Sequence, residues 1–175
     1  LTFEPIFIER MWGGRRLESE FHKKLPPKKS IGESWEVVDR PEAQSVVANG
    51  PLRGVTLHEL WVRQRQEIFG NVPDTPRFPL LIKILDAQEN LSLQVHPPET
   101  IAGRLGGEAK SEFWYVLKAD PEADLFVGFG EPMTRQKFHA LLVDGTVVDH
   151  VHRIAVHSGD AIFLPAGRLH AIGAG

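Results

Sequence analysis

A chain of 175 residues, 42% hydrophobic and 25% charged, has the make-up of an ordinary globular protein and enough length to bury one sizeable core. Lys plus Arg total 20 against 23 Asp plus Glu, and the formal charge of −3 is too balanced for a nucleic-acid or anionic-membrane partner. Cysteine is absent, which excludes disulfides, thiolate nucleophiles and thiolate metal sites, so any metal must be bound by imidazole, carboxylate or amide oxygen.

Thirteen prolines and 16 glycines punctuate short apolar runs, few of which have helical period, and this predicts a mostly β domain with a few short helices. In chain order, strands are expected at Phe3–Ile8 and Glu33–Val38, with the basic, proline-containing stretch Lys23–Lys29 as a loop between them. Thr56-Leu-His-Glu59 has the pattern of a capping box and opens a helical insertion over 56–70, stopped by Gly70. A loop over Asn71–Pro79 leads into strands at Leu80–Leu85, Leu91–Val95, Glu112–Leu117 and Leu125–Phe129. Lys83 lies mid-strand between Ile82 and Ile84 and should face a polar interior or a buried partner. Thr134 caps a second helical insertion over 134–143, carrying Phe138, Leu141 and Leu142. Strands at Ile154–Val156 and Asp160–Leu164 follow, and His170–Ile172 reads as the start of another. No internal repeat or linker divides the chain, so a single domain over 1–175 is expected. Residue 1 is Leu rather than Met, and the chain stops inside an apparent strand pair, so the domain is expected to be incomplete at its C-terminal side. No apolar run is long enough to span a bilayer and no signal pattern opens the chain, which makes the cytoplasm the expected location.

The sharpest motif is Gly159-Asp-Ala-Ile-Phe-Leu-Pro165-Ala-Gly167-Arg-Leu-His170. It reads as a turn glycine, an apolar strand, a Pro-x-Gly reversal and a histidine at the start of the next strand, an arrangement that aims a neutral imidazole inward. The spacing Gly-x5-Pro-x-Gly-x2-His resembles the second motif of the cupin superfamily, although Ala174 stands where an Asn often follows. The resemblance implies a jelly-roll β-barrel with a metal at its centre. In the matching first motif, Gln94-Val-His96 takes the place of a His-x-His pair, alternation puts both side chains on one face, and Glu112 supplies the acid. Gln94, His96, Glu112 and His170 then form a zinc set with an open position for water or substrate. His150-Val-His152 has the same one-residue spacing, but no carboxylate follows at a useful distance. These two, with His22, His58, His139 and His157, are read as surface or partly satisfied histidines.

More specifically, Leu91-Ser-Leu-Gln-Val-His-Pro97 resembles the signature of the type I mannose-6-phosphate isomerases, in their shorter bacterial form. Trp12-Gly-Gly14, Ile31-Gly-Glu-Ser-Trp35, Phe78–Ala87, Lys110-Ser-Glu-Phe-Trp-Tyr115 and Pro165–Gly173 match in family order. The resemblance implies one zinc per chain and interconversion of mannose 6-phosphate and fructose 6-phosphate through an enediol. It implies Gln94, His96, Glu112 and His170 as ligands, Lys110 as a proton-transfer or phosphate-contacting group, and Ser92 as a phosphate contact. Two departures stand out: Ala109 occupies a position that is His in some members, and the family continues past His-Ala-Ile-Gly into a segment with a further acid and an Arg.

Chemically, the single carboxylate leaves a zinc dication net positive charge for a developing oxyanion, and Lys110 can act as base only as the neutral amine. Arg168, two residues before His170, is a candidate phosphate clamp, and Trp12 a candidate substrate-pocket wall. The competing readings are an iron-dependent cupin oxygenase, disfavoured by Gln94, and a non-catalytic sugar- or sugar-phosphate-binding cupin.

Overall fold

The computed structural model describes residues 1–175, which divide into two compact units, Leu1–Asp86 and Ala87–Gly175. The first is built on β1 (Ile6–Gly14), α1 (Arg16–Ser19), β2 (Ile31–Val37), β3 (Asp39–Arg40), β4 (Ala43–Gln44), α2 (Leu57–Arg63), α3 (Arg65–Phe69) and β5 (Ile82–Leu85). A three-stranded antiparallel sheet runs β1-β2-β5, and β3 and β4 form a small ribbon beside it. The predicted strand at Phe3–Ile8 begins later and runs on through Trp12-Gly-Gly14, with irregular register past Ile8. Phe3 makes only an isolated bridge to Val47. A Cβ on Gly13 would collide with the Gly32 backbone, so the glycine permits a close crossing of strands rather than ending one. Leu17 and Ile31 are fully buried, with Phe7 and Ile84 packed against them.

The helical insertion over 56–70 forms as two pieces broken at Gln64, whose φ of −133° is not helical. The capping box is present: Thr56 Oγ1 accepts from Glu59 N, and the Glu59 side chain accepts from Thr56 N. Gly70 ends the segment at a φ of +72°. Lys83 finds a buried partner, since its Nζ lies 2.9 Å from Glu33 Oε2. Glu33, 5% exposed, also accepts from Arg10 Nε at 2.8 Å and Trp35 Nε1 at 2.7 Å.

The second unit contains β6 (Gln94–Val95), α4 (Glu99–Ala102), β7 (Glu112–Tyr115), β8 (Asp124–Phe129), α5 (Arg135–Asp144), β9 (Val151–Ala155), β10 (Ala161–Leu164) and β11 (Leu169–Ile172). Four strands form an antiparallel sheet in the order β6-β11-β8-β9, and β7 pairs with β10 alone. The chain is therefore mostly β with short helices, as its sequence predicts. The hydrogen-bonded ladder does not run round into a closed barrel, because β7 and β10 pair only with each other. Period-two alternation sorts the side chains of β11. Leu169 and Ala171 join Phe126, Val147 and Val151 in a core covered by Phe138 and Leu141 of α5, leaving His170 on the opposite face. On β7–β10 the outward face is apolar: Phe113 is 68% exposed and lies directly opposite Phe163, 62% exposed, with Tyr115 beside them.

Burial alone would raise the Glu33 carboxyl, but its bonds from Trp35, Lys83 and Arg10 together hold it below the ordinary glutamate value of 4.5. A depressed carboxyl contributes stability that is present above the unfolded value and is lost as pH falls through the folded one. Glu33→Gln is therefore expected to cost about 2 kcal/mol in urea unfolding at pH 7. The gap from wild type should narrow once the pH is taken below 4.5.

Candidate metal centre

The candidate site lies within the Ala87–Gly175 unit and is assembled around the turn between β10 and β11. Pro165 follows the buried Leu164 at the end of β10, and Gly167 adopts a φ of +87°, a conformation that an L side chain rarely takes. The turn touches every segment that carries a candidate donor. Gly167 N donates to His96 O at 2.7 Å, and Ala166 N donates to Ser111 Oγ at 3.1 Å, next to Glu112. The Arg168 carbonyl accepts from His170 Nδ1 at 2.8 Å.

His96, Glu112 and His170 converge, with their ligand atoms all within 4.8 Å of one another. His96 Nε2 lies 3.4 Å from Glu112 Oε1, and His170 Nε2 lies 3.4 Å from Glu112 Oε2. The imidazole rings are 5.1 Å apart. Because a carbonyl only accepts, the bond to Arg168 puts the proton of neutral His170 on Nδ1 and leaves the Nε2 lone pair facing the cluster. Gln94 stands directly opposite His170 in the β6–β11 ladder, hence on the same face. Its Nε2 donates to Ser92 Oγ at 3.0 Å, and both residues are exposed.

Lys110 Nζ contacts Glu112 Oε1 and is 3.5 Å from His96 Nε2. Burial is the largest influence on the Glu112 carboxyl and would raise it, yet the hydrogen bond and charge of Lys110, with the two imidazoles, bring it below the ordinary value. For His96 the sense is downward, first from burial and then from the Lys110 charge, so the neutral, metal-ligating form is favoured.

The other candidates are more scattered. Arg168 is exposed, and its guanidinium lies over the bare Cα of Gly128 on β8. Trp12 belongs to the first unit, where its ring packs against Gly32. His150 and His152 sit at the entry to β9, with His150 Nδ1 3.2 Å from Glu131. His58 Nδ1 contacts the buried Asp39. The sequence reading passed over one participant, Trp114, whose Nε1 donates to Glu112 Oε2 at 3.1 Å and whose ring meets His170 edge-on at 5.4 Å. Its position two residues after Glu112 on an alternating strand is the signal that could have found it.

The turn carries its own test. Gly167→Ala should lower stability by about 1–2 kcal/mol in urea unfolding, because the new Cβ disfavours the positive φ. Gly103→Ala, at a φ of −61° with open space around it, should leave stability unchanged or slightly raised.

Comparison with known proteins shows the family. The chain matches the family model for the catalytic domain of phosphomannose isomerase type I over residues 1–125. It is 39% identical over 178 residues to the mannose-6-phosphate isomerase of Streptococcus mutans, covering 98% of this chain and 55% of that protein. The crystal structure of the mannose 6-phosphate isomerase from Bacillus subtilis superposes with a TM-score of 0.90 at 36% identity, over 99% of this chain and 55% of that one. The Salmonella typhimurium enzyme, solved with fructose 6-phosphate and zinc, shares the fold at a TM-score of 0.64 and 16% identity, over 99% of this chain and 66% of its own. The chain thus spans about half the length of the curated relatives it matches. With a family model matching most of its length and relatives at this identity, the chain belongs to the type I phosphomannose isomerase family.

Proposed function

We propose that this chain is the metal-binding part of a zinc-dependent aldose–ketose isomerase that interconverts mannose 6-phosphate and fructose 6-phosphate. The observation that carries the reading is the convergence of His96, Glu112 and His170 in a member of this family. Tetrahedral donors around zinc lie about 3.3 Å apart, and each imidazole lies 3.4 Å from one oxygen of Glu112, His96 from Oε1 and His170 from Oε2. The set is oxygen and nitrogen only, which suits zinc, and Gln94 offers its amide oxygen from the same face as His170. Bound zinc would supply Lewis acidity toward the sugar's carbonyl oxygen.

The chain's own residues supply the proton chemistry. Lys110, in contact with the donor cluster, is the base we assign. As a neutral amine, the form that a bound dication beside it would favour, it takes the proton from C2 of the open-chain aldose to give the enediolate and returns it to C1, while the O2 hydroxyl proton passes to O1, giving the ketose. Ser92 and Arg168 are the assigned phosphate contacts. The setting proposed is the cytoplasm, and no helix is long and apolar enough to cross a membrane.

Full turnover is assigned to polypeptide equivalent to the relatives' remaining length, since the family's further acid and Arg lie outside the matched part. The unpaired edges and apolar outer face of β7–β10 support this, being surfaces on which additional strands pack. A second reading is a sugar-phosphate-binding protein without turnover.

His96→Ala is expected to abolish zinc binding in equilibrium dialysis, whereas His150→Ala and His152→Ala keep it; binding unaffected by His96→Ala would remove the metal centre. Lys110→Met should lower kcat by about 100-fold or more while zinc content is unchanged, and a wild-type rate would return Lys110 to a structural role. Mannose 6-phosphate turnover is to be measured for the 175-residue chain and for one extended to the relatives' length. Activity only in the longer protein fits the isomerase proposal, and zinc and sugar-phosphate binding without turnover in both would leave the binding reading.

A further inference from the structure

We propose that Trp114 is a positioning residue of the metal centre, holding Glu112 and His170 in the orientation in which they present donors to zinc; this rests on the metal-centre reading above. The two oxygens of Glu112 are approached by different sets of groups. Lys110 and His96 meet Oε1, while Trp114 and His170 meet Oε2. An indole N–H donates and never accepts, so its 3.1 Å bond fixes an acceptor lone pair without competing as a ligand. The same ring stands nearly perpendicular to the His170 imidazole, at 85° and 5.4 Å between centroids. One side chain therefore restrains the carboxylate through its N–H and the imidazole through its edge.

Both restraints come from a single strand position. Trp114 shares the inward face of β7 with Glu112 and lies opposite Ile162 of β10 in the ladder. His170 is restrained a second time by the Arg168 carbonyl on Nδ1. Rotation of its ring is thus opposed at the nitrogen that does not ligate and at the ring face. Outer partners of this kind set metal affinity because they remove the cost of ordering the ligands at the moment of binding.

The molecule also carries a reporter for the test. Of its four tryptophans, Trp12, Trp35 and Trp61 lie in the Leu1–Asp86 unit, and Trp114 alone shares a unit with the donors. Zinc binding to the full chain should therefore change tryptophan emission through Trp114.

The experiment titrates zinc against a chelator of known affinity, following both bound metal and emission, for wild type, Trp114→Phe and Trp114→Ala. Trp114→Phe keeps an aromatic ring and removes the N–H; its zinc affinity should fall about tenfold, and its zinc-dependent emission change should vanish. Trp114→Ala should fall further. Unfolding in excess chelator separates positioning from packing, because Trp114→Phe should there match wild type. Zinc affinity equal to wild type in Trp114→Phe overturns the inference, as does an affinity loss mirrored in the chelator-treated stability. A wild-type chain that binds no zinc overturns the metal-centre reading and this inference with it.

Discussion

The short reversal from Pro165 to Arg168 is the constraint on which the candidate site depends. It joins β10, whose Leu164 is buried opposite Glu112, to β11, whose His170 faces the same carboxylate. A displacement of this turn would move His170 directly, and Glu112 through the β7–β10 ladder. His96 would move as well, because its carbonyl is tied to Gly167 N. The positive φ of Gly167 is thus a condition for bringing donors from separate strands to one point, and a Cβ placed there would meet the Pro98 ring at 3.8 Å. Core packing supports the turn from behind: Leu169 and Ala171, on either side of His170, are held under α5.

How much of this was legible follows from whether the cause is local. Gly159 and Gly167 have positive φ, so the motif that flagged His170 encodes a backbone requirement that sequence spacing can carry. Alternation likewise placed Glu112 on one side of its strand and Gln94 with His96 on another. Strand limits depended on partners that lie far off in sequence. Leu91–Val95 forms a ladder only at Gln94 and Val95, opposite His170 and Leu169 of β11, with a separate backbone bond from Leu91 N to Ile172 O at 2.9 Å. β1 extends past Ile8 because Gly13 lets the Gly32 backbone pass, a contact 19 residues away that made the glycines read as a break. The one-turn helices α1 and α4 have too little periodicity to be seen. For Trp114, alternation gives the face shared with Glu112, but its contact with His170, 56 residues on, depends on the tertiary fold.

The electrostatics of Glu112 show how the cluster balances opposing demands. A carboxylate withdrawn from water loses hydration and tends to take up a proton. Lys110 and the two imidazoles offset that loss, and the carboxyl ends below its ordinary value. The ionised form is the one a cation needs. Burial works in the opposite sense on His96, pushing it toward the neutral form, which is again the ligating one. The acid and the base are thus both biased toward the protonation state that binds metal, Glu112 by its charged and hydrogen-bonding partners against burial, and His96 by burial and the Lys110 charge.

Within the proposed reaction, Lys110 cannot hold the phosphate and move the C1–C2 proton at once. The phosphate is carried on C6, at the far end of the hexose from the carbons whose bonds change. Lys110 is fixed at the donor cluster by Glu112 and His96, so its place is at the C1–C2 end. The phosphate must then be met by other groups. Ser92 lies two residues before Gln94 and bonds its amide, while Arg168 is exposed and lies over Gly128. A neutral hydroxyl offsets little of a phosphate dianion's charge, and an exposed guanidinium is weakened by solvent screening. This charge shortfall is a physical reason, separate from the length comparison, to look for a further cation in polypeptide corresponding to the relatives' remaining length.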